Sequence, residues 1–120
     1  MRPFAAEVLR QNGSVLVRLV GDLDLATVPD LHLTVACLFG EPLASLTVDL
    51  TDLAFVDLTG LRALAIVGDT VSEGGVEFHL VGVNDYVSRL IRLADLDGLQ
   101  RACGMTLALR DPSGGGVSRA

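Results

Sequence analysis

The sequence has few cysteines, few cations and no long apolar run, and each shortage excludes a class of protein. Its two cysteines lack CxxC spacing and are too few for the disulfide framework of a small secreted protein. Lysine is absent, and nine arginines face fifteen carboxylates, so the formal net charge is −6 and nucleic acid is not an expected partner. No stretch is long and apolar enough to span a membrane, and the first residues lack the apolar segment of a signal peptide. We therefore expect a cytoplasmic protein without membrane insertion, whose preferred partners are proteins with basic patches.

The composition is that of one folded domain. Half of the 120 residues are apolar and a fifth are charged, which is typical of a globular chain and not of a disordered one. We predict a single domain over residues 1–111. Residues 112–120 are rich in glycine and serine, have little to bury, and are predicted to form a disordered tail.

The hydrophobic periodicity predicts a small α/β domain in the order β-β-α-β-α-β-α, with a short further strand at the end. The strands are predicted over 4–10, 14–20, 46–50, 76–81 and 106–109. The helices are predicted from 27 to 40, from 57–59 to 74 and from 84 to 98, and Thr27 with Asp30 resembles a capping box at the first of them. Because helices join the later strands, those strands should pair in parallel, with the opening hairpin adding an antiparallel element.

Motifs for catalysis are scarce. The sequence contains neither a GxxxxGK[ST] nor a GxGxxG phosphate loop, and it has no GxSxG nucleophile elbow. His32 and His79 have no second ligand at metal spacing, so both are interpreted as structural or solvent-facing, and no metal or cofactor is expected. We predict that the protein is not an enzyme. A nucleotide-binding or hydrolytic enzyme is a third class of function that only the α/β pattern favours.

The most informative stretch leads from a buried strand into the second helix, which opens at Asp57-Leu58-Thr59-Gly60. A helix start carries free N–H groups and the positive end of the helix dipole, so it is a natural place for a negative group. Helix capping by Asp57 and Thr59 is also a sufficient explanation of these residues.

Three motifs make the chain similar to the STAS domain, and in particular to the small stand-alone anti-sigma factor antagonists. Gly21-Asp22-Leu23-Asp24, followed by Thr27, resembles the family's Gly-Glu-Leu-Asp loop. The run from Asp49 to Leu61 resembles its Asp-Leu-Ser-x-Val-x-Phe-Ile-Asp-Ser-Ser-Gly-Leu signature, and the run from Leu80 to Leu99 resembles its last strand and third helix. The resemblance covers about residues 4–110 and implies a small mixed sheet with helices packed mainly on one face.

The resemblance also implies a function. Such antagonists bind an anti-sigma factor, usually a serine/threonine protein kinase, and so release a sigma factor to direct transcription by partner switching. The kinase phosphorylates the first serine of the signature and a phosphatase removes the phosphate. The added charge then changes binding without refolding the domain.

This sequence departs from the family at the acceptor, because Leu58 occupies the position of the usual phosphorylated serine. Thr59 is the candidate phosphoacceptor, with helix capping as its alternative role. If Thr59 is not phosphorylated, the protein is a constitutively active antagonist or it is regulated by another route. One such route is a redox pair formed by Cys37 and Cys103, if their Cα atoms lie within about 7 Å.

We expect the partner to bind where the 22–24 loop meets the start of the second helix. The residues expected to form this surface are Asp22, Asp24, Asp57, Leu58, Thr59, Gly60, Leu61 and Arg62. Carboxylates there would meet arginine or lysine of the partner, while Leu58 and Leu61 would supply apolar contact. The alternative function is a STAS module of a lipid-transport complex or of a signalling scaffold.

Overall fold

A computed structural model of the protein describes residues 3–104 and shows an α/β domain, which confirms the predicted fold class. The strands are β1 Ala5–Gln11, β2 Ser14–Leu23, β3 Ser45–Asp49, β4 Leu53–Val56 and β5 Glu77–Val81. The helices are α1 Val28–Leu38, α2 Leu58–Glu73, α3 Asp85–Leu93 and α4 Asp97–Ala102. The predicted strand at 106–109 and the predicted tail at 112–120 lie outside the described residues.

Strand β2 is the centre of the sheet. It pairs antiparallel with β1 and parallel with β3, and β3 pairs parallel with β5, so the strand order is β1-β2-β3-β5. Asn12 and Gly13 join β1 to β2 with φ angles of 51° and 84°, as a two-residue type I′ hairpin turn requires. The last residues of β2, Gly21–Leu23, pair parallel with β4. The mixed sheet is therefore confirmed.

The core lies on one face of the sheet. Along β2 the side chains alternate between buried and partly exposed, with Val15, Val17 and Leu19 almost wholly buried and Leu16 and Arg18 on the opposite face. Buried leucines and valines from the helices pack against this inner face and form a single hydrophobic cluster. The outer face of the sheet is left partly open to solvent.

The structure contains two short elements that the sequence pattern did not predict. Strand β4 has only four residues, which is too short to show a clear alternation. The third predicted helix does not continue to Gly98, because the chain turns at Asp95, whose φ is +55°. Gly98 instead lies inside α4, where Leu99 and Gln100 are buried. That predicted helix end is wrong.

Candidate functional site

The ends of β2 and β4 bring the 22–24 loop and the start of α2 together. Asp22 pairs with Phe55 and Leu23 with Val56 in the parallel register. One residue further on, the Asp57 amide donates a hydrogen bond to the Leu23 carbonyl over 3.3 Å. Ligand sites in α/β proteins occur typically at this carboxyl edge of parallel strands. The two segments that the signature motifs single out therefore form one continuous surface.

Helix α2 begins with a side-chain cap and a close backbone contact. Asp57 has an extended backbone, and its Oδ1 accepts a hydrogen bond from the Gly60 amide over 2.8 Å. A Cβ atom on Gly60 would lie 2.5 Å from the Leu23 carbonyl oxygen, so only glycine fits there without displacing β2 or α2. The Asp57 cap and the close packing of Gly60 against Leu23 therefore hold the helix start in position.

The exposed side of this helix start consists of Asp57, Leu58, Thr59 and Arg62. Asp57 is half-buried, Leu58 is 36 % exposed, and Thr59 and Arg62 are exposed. The expectation that Leu61 supplies apolar contact to a partner is wrong, because Leu61 is wholly buried in the core. Gly60 is buried as well and presents no side chain to a partner.

The 22–24 loop is held by its own polar groups. The Thr27 hydroxyl donates to the Asp22 carbonyl over 2.8 Å and accepts from the Asp24 amide over 3.0 Å. The Asp24 carboxylate accepts from the Ala26 amide over 3.0 Å and from the Thr27 amide over 3.2 Å. Thr27 makes no side-chain cap for α1, so the predicted capping box with Asp30 is wrong. The reason is that the Thr27 hydroxyl is already committed to the loop.

Three exposed apolar side chains were not among the residues that the sequence predicted for the partner surface. Leu25 is 74 % exposed and directly follows Asp24. Phe55 and Tyr86 are 46 % and 54 % exposed. These two line a hollow of about 70 Å³ between β4 and the start of α3. The scarcity of aromatics in the sequence, with only four Phe and one Tyr, is the signal that draws attention to Phe55 and Tyr86.

We call the set of Asp22, Asp24, Leu25, Asp57, Leu58, Thr59 and Arg62 the docking ridge.

A charged cluster on the outer face of the sheet supports the turn that precedes β4. Arg18 Nη1 lies 3.8 Å from Glu7 Oε1, and Arg18 Nε lies 3.9 Å from Asp49 Oδ2 and 3.8 Å from Asp52 Oδ2. Asp49 accepts hydrogen bonds from the Thr51 hydroxyl over 2.6 Å and from the Thr51 amide over 2.9 Å. These two hydrogen bonds, with a smaller contribution from Arg18, lower the pKa of Asp49 from its ordinary value of 3.8.

The remaining predicted residues lie on elements that do not contribute to the docking ridge. His32 and His79 are exposed, as predicted, and His79 Nε2 lies 3.3 Å from Glu77 Oε1. Cys37 is exposed on α1, whereas Cys103 is partly buried after α4, where its thiol donates to the Gln100 carbonyl over 3.6 Å. Their redox pairing stays a prediction.

Residues 3–104 contain no cluster of three or more His, Cys, Asp or Glu side chains that could hold a metal ion. Within the same residues, no helix is long and apolar enough to cross a membrane.

The chain is similar to known proteins over most of its length. It is 26% identical over 93 residues to an anti-sigma-B factor antagonist of Staphylococcus aureus, which covers 78% of this chain and 86% of that protein. Its fold matches the crystal structure of an anti-sigma factor antagonist from Mycobacterium paratuberculosis with a TM-score of 0.70 and 24% identity, over 79% of this chain and 80% of that one. It also matches the Bacillus cell fate determinant SpoIIAA in the phosphorylated form, with a TM-score of 0.62 and 17% identity over 79% and 86% of the two chains. The family model of the STAS domain matches residues 5–108, and the chain therefore belongs to the STAS domain family.

Proposed function

We propose that the protein is an anti-sigma factor antagonist that acts in the cytoplasm. It binds an anti-sigma factor of the serine/threonine kinase type and so releases a sigma factor by partner switching. The observation that carries this proposal is the docking ridge, where the two family motifs meet on an exposed surface. The antagonists named among its relatives support the same assignment.

The ridge is suited to a basic protein surface. Asp22, Asp24 and Asp57 supply carboxylates, and Leu25 and Leu58 supply exposed apolar side chains beside them. Interfaces of this composition bind a partner that offers arginine or lysine around an apolar contact. Because the ridge needs no rearrangement to be accessible, binding is docking of one folded surface onto another and involves no chemical step in this chain.

Phosphorylation on the docking ridge requires a side-chain hydroxyl. Thr59 supplies an exposed one, two residues after Asp57, which caps α2. Transfer of the γ-phosphoryl group of ATP to Thr59 Oγ1 would release ADP and a proton and leave a phosphothreonine with about −1.5 to −2 charges. The dipole at the start of α2 tolerates that charge, but it would stand beside the Asp57 carboxylate and in front of the partner's surface. Phosphorylation therefore weakens binding, and a phosphatase restores it.

The test is incubation with candidate anti-sigma kinases and ATP, followed by native and intact-mass measurement. We expect a complex with one kinase and, on release, a chain heavier by one phosphoryl group. Thr59→Val should keep the complex and lose the added mass. Phosphate that persists in Thr59→Val would contradict Thr59 as acceptor, and absence of a complex with every kinase would contradict the function.

The contribution of the Asp57 carboxylate to partner binding can be separated from its role as the cap of α2. Asparagine caps helices as well as aspartate does, so Asp57→Asn should leave the free energy of unfolding nearly unchanged while removing one negative charge from the ridge. We expect weaker binding to the kinase, by about tenfold if the carboxylate meets a buried cation. Unchanged affinity in a folded Asp57→Asn variant would show that the carboxylate does not contact the partner.

A STAS module of a lipid-transport complex is the alternative outcome. In that case, affinity capture with the full chain would recover transporter subunits and no sigma-regulating kinase. A capture experiment with that result would overturn the antagonist assignment while leaving the fold and the ridge as described.

A further inference from the structure

Strand β1 is an edge strand of the sheet that residues 3–104 form, and within these residues the backbone groups on one of its sides have no strand partner. Within residues 3–104 it pairs with β2 alone, in an unbroken register that ends at Gln11 opposite Ser14. A two-residue type I′ turn makes that last pair a hydrogen-bonded one, and such pairs alternate along antiparallel strands. The odd-numbered residues of β1 therefore bond to β2. The N–H and C=O groups of Ala6, Val8 and Arg10 point away from the sheet.

Some of the features that normally keep an edge strand from pairing are absent from β1, although Glu7 and Arg10 give it two charged side chains. Protected edges carry lysine, proline or a β-bulge, and β1 has none of these within its seven residues. Val8 and Leu9 are 42 % and 59 % exposed. Glu7 and Arg10 cancel in charge, so β1 is neutral in a chain whose formal net charge is −6. A second copy of this chain can approach β1 without the repulsion that acts elsewhere on the surface.

We propose that two copies of the protein associate through β1, antiparallel and around a two-fold axis perpendicular to the sheet, with Leu9 facing Leu9 of the second copy. Such an axis pairs residues that lie on the same face, so the pairing is centred on one residue. Centres on Glu7, Val8 and Leu9 are the ones that keep most of the strand paired. A centre on Glu7 opposes two carboxylates, and a centre on Val8 opposes Glu7 to Leu9. A centre on Leu9 opposes leucine to leucine and Glu7 to Gln11, which is the pairing that cross-strand interactions favour.

This register builds an apolar row across both copies. Leu9 lies beside the partly exposed Leu16 on the outer face of the sheet, so the row runs Leu16, Leu9, Leu9 and Leu16. The backbone groups of Val8 and Arg10 bond to Arg10 and Val8 of the second copy, and the two sheets become one. The docking ridge begins at Asp22, six residues further along β2 and roughly 20 Å from Leu16. The dimer therefore leaves both ridges accessible, at opposite ends.

The first test compares molecular masses by sedimentation equilibrium of the full chain and of Val8→Pro. Proline at position 8 removes an N–H that points away from β2, so the β1–β2 hydrogen bonds persist and circular dichroism should be unchanged. We expect a dimer for the unaltered chain and a monomer for the variant. A monomer for the unaltered chain at about 1 mM, the weak end of specific association, would overturn the proposal. So would a folded Val8→Pro variant that remains dimeric.

The second test determines the register. Leu9→Glu and Leu9→Lys should each be monomeric, because each places like charges opposite one another, and an equal mixture of the two should restore the dimer. Val81→Glu, which places a carboxylate at an exposed position on the other edge strand, is the matched control and should stay dimeric. Self-association of Leu9→Lys that is stronger than that of the unaltered chain would mean that Leu9 faces Glu7, and would overturn the Leu9 register. A mixture that stays monomeric would overturn it as well.

Discussion

Neighbouring side chains at the start of α2 have different environments. Leu58 is 36 % exposed, whereas Leu61, one turn further on, is wholly buried. The periodicity of the sequence places Leu61 on the apolar stripe of the helix and leaves Leu58 outside it. The periodicity could therefore predict the burial of Leu61, against the expectation from the motif that it contacts a partner, whereas the exposed position of Leu58 could be assigned only from the motif and its geometry.

Leu58 is the residue at which a substitution should distinguish binding from folding. We expect Leu58→Glu to weaken binding to the anti-sigma factor by at least about tenfold, because it removes apolar contact from the ridge and adds a carboxylate. A glutamate in the first turn of a helix is compatible with the dipole, so the unfolding free energy should not fall. The measurement is isothermal titration calorimetry with the proposed anti-sigma factor.

Ile66→Glu is the matched control for that experiment. Ile66 is also an exposed apolar residue of α2, at 59 % exposure, but it lies two turns beyond Leu58 and one turn beyond Arg62, outside the docking ridge. The Ile66→Glu variant should bind the proposed anti-sigma factor as the unaltered chain does. Equal loss of affinity in both variants would place the partner along the length of α2, and no loss in either would remove the ridge from the interface.

The lowered pKa of Asp49 predicts how stability depends on pH. Since the folded state holds this pKa below 3.8, ionised Asp49 stabilises the fold above that pH, and the contribution is lost as the pH falls through the folded-state value. We expect Asp49→Asn to unfold at a lower temperature than the unaltered chain at pH 7. The difference should shrink below about pH 4.

Asp52→Asn is the control for the pH experiment. It removes a carboxylate that shares Arg18 but stands outside the two hydrogen bonds from Thr51. Its melting temperature should follow that of the unaltered chain more closely across the same pH range. A difference for Asp49→Asn that persists unchanged at low pH would show that the side chain acts through packing rather than through its charge.

At the scale of elements, the length of a helix or strand determined whether the sequence could predict it. Helix α2 and strand β2 have sixteen and ten residues, and both were predicted because their periodicity extends over several turns or pleats. Strand β4 and helix α4 have four and six residues, and each is defined by tertiary contact: β4 by pairing with the end of β2, and α4 by burying Leu99. Sequence periodicity carries little information at these lengths.

The capping residues show the same limit. Asp57 and Asn84 cap α2 and α3 as their sequence positions predict, each accepting from an amide three residues on over 2.8 Å. Thr27 has the same sequence context before α1, yet its hydroxyl bonds to Asp22. Competition from a nearby loop cannot be read from the residues that flank a helix.

The contact between α2 and β2 predicts a strong effect of one methyl group. We expect Gly60→Ala to lower the free energy of unfolding by about 1–3 kcal/mol, because its Cβ would lie 2.5 Å from the Leu23 carbonyl oxygen. Gly74→Ala is the control, since a Cβ there would lie 3.5 Å from the Val71 carbonyl, in ordinary contact. Urea unfolding measures both. Equal stability of the two variants would mean that β2 and α2 can separate at no cost.

At the scale of the whole molecule, the surface charge should govern how fast a partner arrives. The formal net charge of −6 attracts basic surfaces over a distance set by ionic strength, about 30 Å at 0.01 M and 8 Å at 0.15 M. We expect the association rate with the proposed anti-sigma factor to fall steeply between these salt concentrations while the dissociation rate changes little. Stopped-flow measurement tests this, and an association rate independent of salt would indicate a partner surface without net positive charge.

The close seating of Gly60 against the Leu23 carbonyl also bears on the thermodynamics of recognition. A helix start packed this closely against the central strand is expected to keep its conformation when a partner binds. Complex formation should then show the modest negative heat-capacity change of two rigid bodies losing water between them. The large change that accompanies coupled folding should be absent on this side of the complex.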